Sequence, residues 1–254
     1  MEQKGTRLSG RSALVTGSTG GLGVAIAKEL AAEGAFVVVS GRSQSRGESV
    51  VADIEVAGGR AVFVTADLGA GEDEILRVAA AATKASGGHL DILVNNAASL
   101  QLPTPTGEVT AQTLRDTFEV NVFAPFLLTG VIAPQMAAAG SGAIVNIGSI
   151  TGYRGASGSA LYCANKAAIH SLTTSWADEF GPAGVRVNAV APGPISTERQ
   201  QEFAEYLEPV LSRLPSRRMS TPEEVASSVV FLASDDAANI HGAILSVDGG
   251  WAAV

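Results

Sequence analysis

The feature that most constrains the fold is an alternation, along the whole chain, between short β-branched runs and longer alanine-rich segments with helical periodicity. This alternation indicates βαβ units, whose right-handed crossovers place helices on both faces of a parallel sheet. The sequence therefore predicts an α/β fold with a doubly wound, seven-stranded parallel sheet. The predicted strands are Ser12–Val15, Phe36–Ser40, Ala61–Thr65, Ile92–Asn95, Ala143–Ile147, Arg186–Val190 and Ala243–Val247. The predicted helices are Gly21–Glu33, Gly47–Ala57, Glu72–Ala85, Leu114–Ala138, Leu161–Phe180 and Pro222–Ser234.

Neither an internal repeat nor a long linker divides the chain, so residues 1–254 are predicted to form a single domain. One interval, Pro192–Thr221, breaks the rhythm with four prolines and a charged middle that includes a short helix around Glu202–Leu211. It follows the sixth strand, at the carboxyl edge where open α/β sheets bind ligands. We therefore expect residues 193–220 to form a substrate-binding loop.

Charge argues against two classes of partner. The formal net charge is −8 and no run rich in Lys or Arg stands out, whereas nucleic acids and anionic membranes are bound by concentrated positive charge. The single cysteine, Cys163, excludes an internal disulfide and is compatible with a reducing compartment. The segment Met1–Arg11 is polar and carries both signs of charge, unlike a secretory signal. A cytoplasmic protein is expected.

The stretch Val120–Tyr153 contains no Asp, Glu, Lys, Arg or His. A membrane-spanning helix needs about 20 predominantly apolar residues, so this stretch has to be considered as a span. It contains Asn121 and Pro134, however, and the run 140–142 (Gly-Ser-Gly) interrupts it. We interpret it as a buried helix followed by a buried strand.

A glycine-rich turn, Thr16–Gly23, connects the first strand to the first helix. Glycines at such a turn let the backbone approach a pyrophosphate, whose charge then lies at the helix N-terminus. A plain tight turn would also use glycine. The position within the first βαβ unit, of ~30 residues, favours dinucleotide binding and a Rossmann-type domain.

The end of the second strand bears on the choice of dinucleotide. The sequence there is Ser40-Gly41-Arg42-Ser43, with no acid to bind the ribose hydroxyls of NAD. An arginine at this place can accommodate the 2′-phosphate of NADP. NADP is therefore favoured over NAD. The alternative is that Arg42 is a solvated loop residue, or stacks on the adenine in an NAD enzyme.

Tyr162 and Lys166 are four residues apart on a predicted helix, so the phenol and the ammonium share a face. A nearby ammonium lowers a tyrosine pKa from its usual value near ~10 toward neutrality, where proton transfer works best. This spacing is common by chance. Its position is informative, because the preceding strand ends at Ser149, where a serine faces a ligand site, although a turn serine would also suit.

These motifs together resemble the short-chain dehydrogenase/reductase family, in particular its 3-oxoacyl-carrier-protein reductase-like branch. The resemblance rests on the spacing of Gly17, Gly20 and Gly23, on Asn95-Asn96-Ala97-Ala98, on the Ser–Tyr–Lys trio and on Pro192-Gly193. The usual motif ends Asn-Asn-Ala-Gly, and Ala98 departs from it. The matches span nearly the whole chain in the family's order.

The resemblance implies hydride transfer between a nicotinamide dinucleotide and a ketone or secondary alcohol. Tyr162 would be the acid in reduction and the base in oxidation, and Ser149 would bind the substrate oxygen. Lys166 would hold the nicotinamide ribose and tune Tyr162. Asn121 would support a water-linked proton path. A dinucleotide-binding sensor or scaffold without catalysis, on the same fold, remains the alternative.

The remaining site expectations concern the cofactor. Asp67 matches an acid near the adenine, although a loop acid or a helix cap would look the same. The resemblance also implies a homotetramer, and no metal site is expected. The substrate stays open between the reductase branch and the sugar or steroid dehydrogenases. The predicted cofactor contacts are Gly17, Ser18, Thr19, Gly20, Gly21, Leu22, Gly23, Arg42, Ser43, Asp67, Leu68, Asn95, Ala97, Tyr162, Lys166, Pro192, Gly193, Ile195 and Thr197.

Overall fold

The computed structural model describes residues 6–198 and 209–254. Within them, seven strands form one parallel sheet in the order β3-β2-β1-β4-β5-β6-β7. The order reverses between β1 and β4, and a crevice for ligands opens at the carboxyl ends of the strands at such a point. The predicted fold is confirmed. The strands are β1 Ser12–Val15, β2 Phe36–Gly41, β3 Arg60–Thr65, β4 Ile92–Asn95, β5 Gly142–Ile147, β6 Val185–Pro192 and β7 Ile244–Val247.

The helices agree with the predicted pattern except in the middle of the chain. The predicted helix Leu114–Ala138 is wrong as a single α-helix: it starts at Ala111, and the five residues Glu119–Phe123 form a π-helical segment between two α-helices. The α-helices are α1 Gly21–Ala32, α2 Gln44–Val56, α3 Glu72–Ala85, α4 Ala111–Phe118, α5 Ala124–Ala139, α6 Ala160–Phe180 and α7 Pro222–Ala233.

Both faces of the sheet are covered. Ala13 and Val15 of β1 point into a core that includes residues of α1, α2 and α7, whereas Leu14 points into a second core with residues of α3, α5 and α6. A strand buried on both faces has no solvent side to keep polar. This is why the central strands read as continuous apolar runs.

The helical rod Ala111–Ala139 is long and apolar enough to span a membrane by length and composition alone, with 39% of its apolar window buried. Its inner face belongs to the protein core, since Leu128, Ile132 and Met136 are fully buried. Strand β5 is also buried along its whole length. The predicted buried strand is therefore confirmed. The predicted buried helix is confirmed for the face of α5 that packs against the core. On the outer face, Phe123 and Phe126 are about half exposed.

The predicted substrate loop is anchored at its base. Ile195, shortly after β6, forms a parallel bridge with Ser220, just before α7. The Ser196 N–H also donates to the Ser220 carbonyl at 3.0 Å. The predicted short helix Glu202–Leu211 lies mostly outside the described residues.

Candidate active site

The glycine-rich turn packs closely against the segment after β4. Gly17 has φ +64°, and a Cβ there would lie 2.8 Å from the Ala97 Cα. A Cβ on Gly23 would collide with the Gly17 carbonyl oxygen. Any side chain at these two positions would push the turn away from its neighbours, so glycine is required.

The N-terminus of α1 suits an anion. Its N-cap, Gly20, supplies no side-chain hydrogen bond, and the first turn holds no acidic residue. A Cβ at Gly20 would meet nothing within 4 Å. The first-turn N–H groups and the helix dipole thus face open space without a partner from their own helix, which fits the pyrophosphate of a dinucleotide.

Ser18 and Thr19, two predicted cofactor contacts in this turn, have different surroundings. Ser18 is fully buried; its hydroxyl donates to the Val15 carbonyl at 2.7 Å and accepts from the Ser40 N–H at 2.9 Å. Its side chain therefore ties the turn to β2. Thr19 lies over the end of β2, since a Cβ on Gly41 would sit 2.6 Å from the Thr19 hydroxyl oxygen.

The residues that follow β2 and β3 lie at the carboxyl edge of the sheet. Arg42 is exposed, and the Ser43 hydroxyl accepts from the Arg46 N–H as the N-cap of α2. Asp67 is exposed, with a carboxylate oxygen that accepts the Gly69 N–H at 3.2 Å. Its neighbour Leu68 is buried in the core. The side chains of Arg42 and Asp67 are thus accessible to a nucleotide.

Asn96, which is absent from the predicted contacts, holds the glycine turn in place. Its side-chain amide donates to the carbonyls of Thr16 and Gly17, at 2.8 and 3.2 Å, and its N–H donates to the Thr16 hydroxyl at 2.9 Å. The adjacent pair Asn95-Asn96 at the end of β4 was the feature of the sequence that could have predicted this contact. Neighbouring Asn95 points inward, where its amide donates to Asn146 at 2.8 Å.

The end of β6 closes the other side of the crevice. A Cβ on Gly193 would lie 2.9 Å from the Asp248 Cα, so β6 and the segment after β7 are in close contact here. A Cβ on Gly21 would lie 3.8 Å from the Thr197 methyl carbon. The predicted contacts after β1 and after β6 are therefore brought together by the fold.

The trio Ser149, Tyr162 and Lys166 forms one cluster beyond the carboxyl end of β5. Ser149 and Lys166 are buried, and Tyr162 is partly exposed. The Lys166 Nζ lies 5.8 Å from the centroid of the Tyr162 ring and donates to the Ile147 carbonyl at 2.7 Å. The predicted spatial association of the trio is present in the structure.

Burial sets the proton affinities of this cluster. It raises the pKa of Tyr162, and a hydrogen bond with Ser149 opposes that rise. It also lowers the pKa of Lys166 to about 8. The expected lowering of the Tyr162 pKa is wrong for this structure, because the cost of burying a phenolate outweighs the stabilising contacts.

Asn121 lies in the π-helical segment and is buried. Its side-chain oxygen accepts the Ser99 N–H at 2.7 Å, and its amide donates to the Ser99 carbonyl at 3.0 Å. These two bonds fasten the chain after β4 to the rod Ala111–Ala139. Single π-helical turns occur frequently at functional sites.

His170, one helical turn beyond Lys166, contacts the backbone of Ser149. Its Nε2 accepts a long hydrogen bond, 3.5 Å, from the Ser149 N–H, and its ring packs 4.6 Å from that of Tyr153. Burial and the charge of Lys166 lower the pKa of His170 to about 4. The ring is therefore neutral at physiological pH. Among the described residues, no group of three or more His, Cys, Asp or Glu side chains could hold a metal ion.

Known proteins resemble this chain over nearly its whole length. The family profile described as enoyl-(acyl carrier protein) reductase matches residues 17–252. A cis-4-hydroxycyclohexanecarboxylate dehydrogenase from Sinomonas cyclohexanicum is 39% identical over 98% of this chain and 100% of its own length.

Two solved structures are similar over their full length. One, described as a short chain dehydrogenase/reductase family protein, has a TM-score of 0.89 and 43% identity, covering 98% of this chain and 100% of that one. The other, from Beutenbergia cavernae, is described as a putative NAD(P)-dependent gluconate 5-dehydrogenase with bound NADP at low occupancy. It has a TM-score of 0.92 and 38% identity, covering 98% and 100%.

Proposed function

The chain belongs to the short-chain dehydrogenase/reductase family, whose members are oxidoreductases, and from this we propose that it interconverts a ketone and a secondary alcohol with Tyr162 as general acid and base. The observation that carries the proposal is the cluster of Ser149, Tyr162 and Lys166 at the carboxyl edge of the sheet. An intact trio of this kind does not favour the alternative of a non-catalytic sensor or scaffold.

The family resemblance gives each residue a proposed role. A nicotinamide dinucleotide, when bound, would supply or accept the hydride. Tyr162 gives a proton to the substrate oxygen in reduction and takes it back in oxidation, and the Ser149 hydroxyl donates a hydrogen bond to the same oxygen. Lys166, one turn along α6 and buried, binds the ribose hydroxyls. Asn121 supports a water-linked proton path, and its two bonds to the Ser99 backbone hold its side chain in place.

We propose NADP as the preferred dinucleotide. The support is the exposed guanidinium of Arg42 at the end of β2, without an acid at positions 40–43 to bind a ribose diol. The uncapped start of α1 and the open space at Gly20 fit the pyrophosphate. The remaining predicted contacts, from Gly17 to Thr197, keep the same proposed role.

Turnover of a substrate panel, measured from nicotinamide absorbance with NADPH and NADH side by side, tests the proposal. The panel includes cyclic hydroxy acids, because one relative is a cis-4-hydroxycyclohexanecarboxylate dehydrogenase, together with 3-oxoacyl thioesters, sugars and steroids. We expect activity with at least one alcohol or ketone and a preference for NADPH. The sensor alternative would be supported if cofactor bound tightly and no substrate turned over.

The variant Tyr162→Phe is expected to lose nearly all turnover, by about 10²-fold or more, because it removes the transferred proton. Cofactor affinity, measured by quenching of protein fluorescence, should stay within a few-fold of the unmodified protein. The Tyr153→Phe variant is the matched control, since Tyr153 lies after β5 and its hydroxyl donates only to the Ile244 carbonyl among the described residues. Near-normal turnover of Tyr162→Phe would exclude the mechanism.

We also propose that the protein is a homotetramer in the cytoplasm, without a nucleic-acid or membrane partner. The support is the uncharged outer face of α5, where Phe126 stays half exposed in the single chain, together with the family resemblance. Apolar patches of this kind are usually covered in an assembly.

A further inference from the structure

Both hydrogen bonds that the Ser149 hydroxyl accepts come from the short turn that follows it. Its oxygen accepts two hydrogen bonds from one residue: the Thr151 N–H at 3.2 Å and the Thr151 hydroxyl at 2.9 Å. The first of these caps the short 3₁₀ turn Ile150–Gly152. A serine hydroxyl has two lone pairs and a single proton. With both lone pairs occupied, its remaining capacity is to donate.

The direction of that donated proton matters for the chemistry. A serine that accepts a proton from Tyr162 would stabilise the neutral phenol, whereas one that donates stabilises the phenolate and a negatively polarised substrate oxygen. Without the Thr151 hydroxyl, the Ser149 oxygen would keep a free lone pair and could accept from the phenol. The Thr151 backbone N–H alone leaves both arrangements open.

We propose that Thr151 is a positioning residue: its hydroxyl fills the second lone pair of Ser149 and so forces Ser149 to act only as a donor, with its one proton directed to the phenol oxygen in the free protein or to the substrate oxygen when substrate is bound. This inference rests on the proposed function of Ser149 and Tyr162. Two further features restrict the position of the serine, its burial and the placement of its backbone N–H. The Ser149 side chain is buried, and its N–H faces the neutral Nε2 of His170.

The test compares Thr151→Val with Thr151→Ser. Valine keeps the shape and the capping N–H but lacks the hydroxyl, whereas serine restores it. We expect Thr151→Val to lower kcat/KM by about tenfold, the scale of one hydrogen bond to a developing charge, with the cofactor KM unchanged. Thr151→Ser should recover most of the loss. Thr174→Val, the same change at an exposed threonine of α6 that bonds the Ser171 carbonyl, is the matched control and should leave turnover unchanged.

A double-mutant cycle separates this inference from the proposed function. If Thr151 acts through Ser149, Thr151→Val should cause no further loss in a Ser149→Ala background. Normal turnover of both Ser149→Ala and Tyr162→Phe would refute the proposed function itself. Impaired Ser149→Ala together with an unimpaired Thr151→Val, or equal losses in the two backgrounds, would overturn only the role of Thr151.

A second measurement decides the matter if turnover in Ser149→Ala falls below detection. Ionisation of Tyr162 can be followed by tyrosinate absorbance, as the difference between each protein and its Tyr162→Phe counterpart. Loss of an obligatory donor should move the ionisation to higher pH in Thr151→Val, and not in Thr174→Val. An unmoved titration in Thr151→Val would contradict the proposal.

Discussion

The ammonium of Lys166 is buried, which carries a desolvation cost for the fold. Its Nζ has a single described acceptor, the Ile147 carbonyl, and burial lowers its pKa to about 8. A buried ammonium normally has a carboxylate partner or several acceptors. We propose that the ribose hydroxyls accept from the remaining N–H groups. Lys166 is therefore better explained by ligand binding than by stability.

His170 gives a prediction about stability and pH. Its pKa is about 4 in the folded protein, against 6.5 for an ordinary histidine. As the pH falls from 7 to 5, the unfolded chain takes up a proton that the folded protein refuses, so the free energy of unfolding decreases by about 1 to 2 kcal/mol. The stabilisation that comes from keeping His170 neutral is present in full above about pH 7. It is lost progressively as the pH falls toward about 4.

Denaturant unfolding of the protein and of His170→Gln, at pH 7 and at pH 5, measures this contribution. Glutamine retains an acceptor for the Ser149 N–H and does not titrate. The fall in stability between the two pH values should be smaller in the variant by that amount. An identical fall in both proteins would show that His170 does not keep its neutral form on folding.

Single residues also mark the limit of sequence interpretation. The glycine turn and the Ser149–Tyr162–Lys166 trio were predictable, because their spacing is local and their order follows the strands. The inward hydroxyl of Ser18 was not, because its partners Val15 and Ser40 become neighbours only when β1 pairs with β2. The same holds for the bonds from Thr151 to Ser149, whose geometry depends on the turn after β5.

Among the elements, α7 has the most explicit start signal in the sequence. The Thr221 hydroxyl accepts the Glu224 N–H at 3.2 Å, and the Glu224 carboxylate accepts the Thr221 N–H at 2.9 Å, forming a capping box. Arg218 binds the same carboxylate and lowers the pKa of Glu224 to about 2. The start of this helix is therefore well defined.

Thr221→Ala is expected to reduce the free energy of unfolding by about 1 kcal/mol, the usual value for loss of an N-cap hydroxyl. Thr221→Ser, which keeps the hydroxyl, should remain close to the unmodified protein. Chemical denaturation of the three proteins measures the difference. Equal stability of all three would mean that the cap contributes nothing here.

Element boundaries were predicted best for two short strands that are buried throughout and for a helix whose first turn is acidic. Strands Ser12–Val15 and Ile92–Asn95 and helix Glu72–Ala85 have the predicted limits. The π-helical segment Glu119–Phe123 was missed, since one extra residue in a turn leaves the apolar composition unchanged. Pro125, two residues beyond that segment, is the sequence signal for an interruption of the helix, because proline fits the first turn of a helix and not its interior.

At the scale of the whole molecule, the proposed assembly depends on the outer face of α5. Phe126 is 52% exposed and packs at 5.9 Å against Trp176 of α6. A carboxylate there would have to be desolvated in any interface that covers this face. Phe126 is not among the proposed site residues, so turnover of the variant can be measured beside its mass.

Light scattering after size exclusion should give about four times the chain mass for the unmodified protein. Phe126→Asp should shift the mass to dimers or monomers. The control is Val56→Asp, since Val56 is 90% exposed at the end of α2, and it should stay tetrameric. A monomeric unmodified protein, or a tetrameric Phe126→Asp, would refute the proposed interface.

The bridge between Ile195 and Ser220 has a consequence for how such a protein can diversify. Because the two ends of the intervening segment are joined to each other beside the sheet, the entropic cost of changing its length grows only slowly. We propose that the residues of this segment beyond Thr197 select the substrate, so that grafting them from a relative should change the substrate range while the sheet and the cluster of Ser149, Tyr162 and Lys166 stay in place.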